Sequence, residues 1–435
     1  MPFPFALPTT SSFSFSSCFE SDTHPSLPLN ASTYRGVVRE TLKKHKRLPA
    51  LAQIGNLTTV TEDLKSYLPY LLAVDGGLND RGLPGVTHVI RVTQKSTPTI
   101  KWRPTLSGDF VPGRERSRVR ISTVEHELAF VLISLGFTYV LAARSSLQPL
   151  YLTSGEFVAS QERTKAVATA SKQLLEAASV YSFLASRIEQ VIASPPCVDV
   201  SVSTVRAMAS LAHAEATILA VFKDDPYPAA VAQDRSKNDK EWMFKSPEIP
   251  KVRAHLYARL CLAAAQHAAK AASLIQSIGT GTNKIDSHLS RYMEDFRRTA
   301  RAKACRFLGI DAELGGQTAE GIGWLQAGLQ ELGVDVKDSK KGLSLGRFKK
   351  ELMEKREDRR VEKELGWGSD GGKLEETRVI EMLAEKWNKV NDTVCETTQL
   401  QCRRQVANMY FLDEHKSNSS CEFTCDKDAI RSRDP

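Results

Sequence analysis

Nine histidines are the chain's readiest acid–base and metal-binding groups, yet their spacing assembles neither function. His213, His255 and His267 fall in helical stretches, and none stands at metal-ligand spacing from another His or from Cys. His415, Cys421 and Cys425 make the one metal-like cluster, with too few ligands to close a structural zinc site. Gly315, Gly316, Gly321 and Gly323 follow no predicted strand, so they lack the setting of a phosphate-binding loop. The Ser, Asp and Glu residues form no nucleophile-and-base set. The expectation is a protein with no catalytic residues, no metal and no cofactor.

The spacing that does point to a function is apolar. Lys251 to Gln276, KVRAHLYARLCLAAAQHAAKAASLIQ, has no Gly or Pro and is saturated with helix formers. On a 3.6-residue period Ala254, Ala258, Cys261, Ala265, Ala268 and Ala272 make one stripe of small side chains, against which a neighbouring helix can pack closely. Val252, Leu256, Leu260 and Ala263 make a second stripe. Two apolar stripes imply two things to touch: a neighbouring helix, and either a second neighbour in a buried stack or a ligand or partner.

The rest of the chain reads as helices that would hold this one in place. A Ser/Pro/Phe-rich leader, residues 1–31, carries five phenylalanines and suits an extended path against a body. A helix is predicted from an N-cap at Ser32 to the basic run Lys43, Lys44, His45 and Lys46, where cations suit the C-terminal dipole. A second helix covers Val60 to Leu72. Thr99–Leu106 and Arg118–Ile121 alternate as a β-hairpin. Helices are then predicted to Arg144 from a cap at Ser122 or Thr123, over Gly155–Ala193 and over Ser203–Phe222, with Pro195 and Pro196 between the last two. Asp224–Pro250 is a polar excursion with four prolines, expected to be a mobile loop. Beyond Lys251–Gln276, helices are predicted over Leu289–Phe307, Thr318–Leu332 and Leu374–Val394, with alternating opposite charges from Asp338 to Glu364. Arg291, Arg297, Arg298, Arg301, Lys303 and Arg306 recur along one of these helices, as a solvated face or a basic surface for phospholipid.

With 435 residues, 41% hydrophobic and 25% charged, the composition is that of a globular protein, and a net charge of +8 favours anionic partners without the density of a dedicated nucleic-acid binder. Cys18, Cys197, Cys261 and Cys305 are scattered as free thiols would be, whereas Cys395, Cys402, Cys421 and Cys425 crowd the end. The N-terminus lacks a basic start and is broken by Pro2, Pro4 and Pro8, which argues against a secretory signal. The apolar run Leu128–Ala143 would rise ~24 Å as a helix against a ~30 Å hydrocarbon core, so it reads as a core helix. A cytoplasmic protein, or one attached peripherally to a membrane, is expected.

Several stretches, in order, resemble signatures of the Bro1 domain, the boomerang-shaped helical module of Alix-type ESCRT-associated proteins. They are TIKW with Trp102, VEHELAFVL around Glu125, CVDVSVSTV from Cys197 to Val205, LAHAEA from Leu211 to Ala216, LYARL from Leu256 to Leu260, AEGIGWLQ from Ala319 to Gln326, and KWNKVND from Lys386 to Asp392. The leader and the stretch STYRGVVRETLKKHKRLP are similar to a fungal ambient-pH signalling branch of that family. The resemblance implies a mainly α fold, a boomerang of packed antiparallel helical hairpins like a TPR solenoid, with a small N-terminal β-hairpin. It implies a leader over 1–31, a helical domain over 32–394 and, over 395–435, an atypical Cys-rich tail expected to be disordered. The ligand it implies is the C-terminal amphipathic helix of the main ESCRT-III filament subunit, held by Leu219 on one helix and by Leu256 and Leu260 on the next. Lys223 best matches the family's basic residue, one position out of register, with Phe222 at the aligned place. The implied role is a non-catalytic adaptor at the plasma or endosomal membrane, required for alkaline-pH-triggered proteolytic processing of a zinc-finger transcription factor. The competing reading from charge alone is a basic helical protein that binds acidic lipid or RNA.

Overall fold

The computed structural model describes residues 1–79, 89–108, 115–151, 160–190, 194–228, 230, 249–278, 284–334, 355–356, 359–361 and 367–392. The expectations for most of Asp224–Pro250, most of Asp338–Glu364 and all of 395–435 lie outside these residues. Helices dominate the described chain: α1 (Leu27–Arg47), α2 (Ala50–Leu78), α3 (Val124–Leu147), α4 (Ser160–Ile188), α5 (Val202–Phe222), α6 (Lys251–Gln276), α7 (Ser287–Leu314), α8 (Thr318–Glu331) and α9 (Lys373–Asp392). Each packs chiefly on its neighbours in sequence order, so one core runs through the array from the leader to Trp387.

Most of these spans match the sequence pattern, because amphipathic periodicity and caps are local. Thr123 accepts the His126 N–H at the start of α3, and Ser201 accepts the Thr204 N–H at the start of α5. α1 differs, beginning at Leu27 and not at Ser32, with Pro28 in the first turn, where its missing N–H costs nothing. The Ser32 hydroxyl donates to the Pro28 carbonyl and accepts the Phe15 N–H, both at 2.7 Å, so it ties down the leader instead of capping a helix. α2 begins ten residues before Val60 and runs through Pro69, since the buried stripe Leu57, Val60, Leu64, Tyr67, Leu71 and Val74 continues without interruption.

The predicted hairpin is present as β4 (Ile100–Arg103) paired antiparallel with β5 (Val119–Ile121). The leader adds to it: β1 (Thr9–Thr10) pairs along the other edge of β4, and β2 (Phe19–Glu20) pairs with β3 (Thr93–Gln94). Leader phenylalanines enter the core, with Phe5 stacked on Phe137 of α3 at 4.3 Å. α3 and α5 are each long and apolar enough to cross a membrane, but 78% of the most apolar stretch of each is buried inside the protein. Gly136 lets α3 approach α4, because a Cβ there would sit 2.3 Å from the Tyr181 ring.

Glu127 on α3 is wholly buried and saturated. Arg35 of α1 donates Nε to Oε1 at 2.8 Å, the Tyr67 hydroxyl of α2 donates to the same oxygen at 3.3 Å, and the Trp102 indole of β4 donates to Oε2 at 2.5 Å. Arg35 reaches onward to the Ser11 carbonyl at 2.7 Å and the Thr10 hydroxyl at 2.6 Å, so the leader hangs on the same centre. Glu127→Ala leaves a guanidinium buried without its counter-charge and is expected to cost about 3–5 kcal/mol in urea denaturation. Glu20→Ala, which breaks the exposed pair with Lys95, should leave the midpoint nearly unchanged.

Candidate functional site

α6 turns its small stripe inward. Ala254, Ala258, Cys261, Ala264, Ala265 and Ala268 are buried between α5 and α7, and burial pushes the Cys261 thiol up to about 12, an inert group. The second stripe faces outward: Val252 is 83% exposed and Leu256 49%, with Leu260 partly buried beside them. α5 runs antiparallel to α6. The rings of His213 and His267 lie 5.8 Å apart, and the Tyr257 hydroxyl donates to Asp224 at 3.1 Å. Those two contacts set the register of the pair, with Leu260 between them and Leu256 just beyond Tyr257.

The expected site residues divide there. Lys223 is exposed at the C-cap of α5, as is Ala220 one turn earlier, so both can share the outer surface with Leu256 and Leu260. Leu219 does not. It is 4% exposed and lies inward with Met208, Ala212 and Glu215, at i+3 or i+4 steps along α5, so the structure places it in the core and not on the exposed strip. Sequence spacing also hid the His213–His267 pair, since residues 54 apart meet only because two antiparallel helices bring them together. Among the described residues no group of three potential metal ligands forms.

The basic row on α7 is not the surface its sequence presents. Lys303 and Arg306 are buried, the lysine donating to Glu376 at 2.5 Å and the arginine to Glu376 and Asp225 at 2.6 Å each. Arg297 and Arg298 hold Glu294, whose carboxyl these hydrogen bonds pull down to about 2. Arg301 pairs with Glu331, and Arg291 reaches Asp295 at 3.6 Å. These partners lie at other turns or on other helices, and they spend the charge that a phospholipid surface would need.

No family model matches the chain. The pH-response regulator protein palC of Emericella nidulans is 42% identical over 433 residues, covering 92% of this chain and 84% of its own. A crystal structure of ALIX in complex with the SIVmac239 PYKEVTEDL late domain matches with a TM-score of 0.50 at 12% identity, covering 91% of this chain. This chain spans 45% of that ALIX chain. At that identity the likeness shows the fold alone, the Bro1-type arrangement of helices. An ALIX BRO1 CHMP4C complex covers 91% of this chain and 89% of its own, at 13% identity and a TM-score of 0.47.

Beneath the strip, the buried side of α5 carries a titrating group. Glu215 accepts the Tyr292 hydroxyl of α7 at 2.6 Å and the Phe3 N–H of the leader at 3.1 Å. Burial pushes its carboxyl up to about 7, against the pull of those hydrogen bonds. Above the ordinary carboxylate range and below about 7, the folded chain keeps a proton that the unfolded chain has released. The group's stabilisation is therefore full in acid and lost as pH rises through about 7. Glu215→Gln keeps the acceptor oxygen and removes the titration. From about pH 5 to about pH 8 the wild type should lose about 1–3 kcal/mol relative to this variant in denaturant titrations. His45, His126 and His267, held down by burial, act in the opposite sense but cancel in the difference. A difference that stays flat across that range would show that Glu215 does not titrate there.

Proposed function

The chain belongs to the palC family of pH-response regulators, and from that premise we propose that it is a non-catalytic adaptor that grips an amphipathic helix with the outer strip of α6. The carrying observation is Leu256 standing 49% exposed, one turn from the partly buried Leu260 and beside the exposed Val252. An i, i+4 aliphatic pair on a rigid helix is the feature that helix-in-groove recognition uses. Lys223, Arg253 and Arg259 lie exposed on the same two helices and favour a partner helix with acidic positions between its apolar ones. The C-terminal amphipathic helix of the main ESCRT-III filament subunit is the ligand that the Bro1 resemblance implies.

In this reading the protein is cytoplasmic, is recruited peripherally to the plasma or endosomal membrane, and is required for alkaline-pH-triggered proteolytic processing of a zinc-finger transcription factor. Residues 32–394 form the adaptor domain and the leader 1–31 is strapped into it. pH is sensed upstream, in a membrane receptor, and the adaptor transmits assembly. Cation-only binding to lipid or RNA through α7 is the weaker reading, because the α7 cations are engaged within the fold.

Leu256→Asp sets a charge in the apolar contact and should weaken binding of the isolated ESCRT-III helix by about 2–4 kcal/mol, roughly 30- to 1000-fold, in calorimetry or fluorescence anisotropy. Half-exposed in the free protein, the position should accept Asp with little change in Tm. Leu219→Asp is the contrast: it buries a charge in the core and should unfold the chain, not weaken binding selectively. Unchanged helix affinity in a folded Leu256→Asp variant sinks the site.

A further inference from the structure

The inner and outer faces of the β4–β5 hairpin could hardly differ more. Ile100, Trp102 and Ile121 point inward and are buried. The intervening positions are all cationic: Lys101 is opposite Arg120, and Arg103 falls opposite Arg118 by continuation of the same register. Like charges directly across a strand pair repel, so this pattern opposes hairpin formation. The adjoining face of α1 adds Arg39 and Lys46. Lys46 and Arg103 share one carboxylate, Glu115, and Arg39 pairs with its neighbour Glu40.

Two further observations show that this charge is not spent inside the fold. The Nε atoms of Arg39 and Arg103 are shielded from solvent and have no hydrogen-bond partner. Arg118 and Arg120 make their described hydrogen bonds to the Lys101 carbonyl and the Thr99 hydroxyl, both uncharged groups. Burial pushes the Arg118 guanidinium down, with the neighbouring Arg103 and Arg39 adding to it and Glu115 opposing. Lys101, Arg118 and Arg120 differ in this from the α7 cations named above: among the described residues they form no ion pair with a carboxylate, whereas each of those does.

We propose that the outer face of the β4–β5 hairpin, with the adjoining face and C-terminal end of α1, is the surface that docks on an acidic lipid bilayer. A strand-pair face offers breadth, which suits an extended plane of anionic headgroups. At its margin, the turn from α1 into α2 exposes Lys44, Lys46 and Arg47 and then Leu51, 68% exposed: cations beside an aliphatic side chain able to enter the headgroup boundary. Single-stranded RNA is the less suited occupant, because base stacking needs exposed aromatic faces and the hairpin's Trp102 is turned into the core. The proposal adds a surface to the membrane recruitment proposed above. It shares no residue with the α5–α6 strip, so either can fail while the other stands.

The test compares full-length wild type with the triple variant Lys101→Gln, Arg118→Gln, Arg120→Gln in co-sedimentation with vesicles of phosphatidylcholine alone or with added phosphatidylserine. Wild type should bind only the acidic vesicles and release them with added salt. At about fivefold per basic residue, the variant should lose at least about tenfold in partitioning. Its Tm should be equal or higher, since cross-strand repulsion is relieved, and its affinity for the ESCRT-III helix unchanged. If the triple variant melts early, Lys44→Gln, Arg47→Gln, Leu51→Ser on the α1–α2 turn carries the same comparison. Undiminished vesicle binding by a folded variant, indifference of wild type to the acidic lipid, or a loss confined to single-stranded RNA binding would each overturn the proposal.

Discussion

A carboxylate without water must be completely satisfied, and the N-terminal half of this protein is arranged to satisfy Glu127. One side chain on α3 receives donors from α1, α2 and β4, and its arginine partner binds the leader strand. None of the donors lies near Glu127 in sequence, so the centre forms only when all these elements are docked together. Desolvating the ion pair is costly, and an apolar replacement of the same shape would often be as stable. What the pair supplies that an apolar core does not is geometry. Arg35 offers a planar fork, and its donors fix how α1 and the leader sit on α3.

The same solution recurs wherever irregular chain meets helix. Glu215 holds the leader through Phe3 and α7 through Tyr292. Arg306 holds Asp225, just beyond the end of α5, and Glu376, on α9, while its guanidinium lies over the Phe307 ring at 4.4 Å. Arg144 donates to the Pro2 carbonyl and to the Trp367 carbonyl. In each case a charge rooted in a helix meets backbone or carboxylate from a non-helical stretch, and Tyr292 and Glu376 extend two of these networks to a further helix. Helix-on-helix contacts rest mainly on alanine, glycine, aliphatic and aromatic side chains, with buried polar links such as Arg35–Glu127 and Arg306–Glu376 among them. Apolar packing sets the array, and buried charge fastens to it the segments with no periodicity of their own.

That division explains what the sequence disclosed. Spacing at i, i+3 and i+4 is a local signal, so the helices and the two stripes of α6 were legible, as was the alternation of β4 and β5. A buried charge is recognised only by its partner, and the partners of Arg306 lie 70 and 81 residues away, so the α7 cations read as surface. β1 and β2 are two residues each, too short for any period to register. Leu256 and Leu260 were singled out both by the spacing along α6 and by the resemblance, whereas Leu219 came from the resemblance alone and is 4% exposed in the fold.

Why α6 has leucines to spare follows from how closely it is packed. Ala254, Ala258, Cys261, Ala265 and Ala268 bring α6 close against α5 and α7, with Tyr257 and Ile275 as the large buried side chains of the seam, so dispersion between near backbones carries much of the contact. Val252 and Leu256 are then left largely outside the core, and Leu260 reaches it only in part. Leaving them at the surface has a cost in solubility and no return in stability, which is the physical ground for assigning them to contact with another molecule. The hairpin cations obey the same logic in charge, since positions that repel one another within the fold make sense only against something outside it. An apolar strip and a cationic face stand on separate elements of one array and share no residue, so the two contacts proposed for them would not compete.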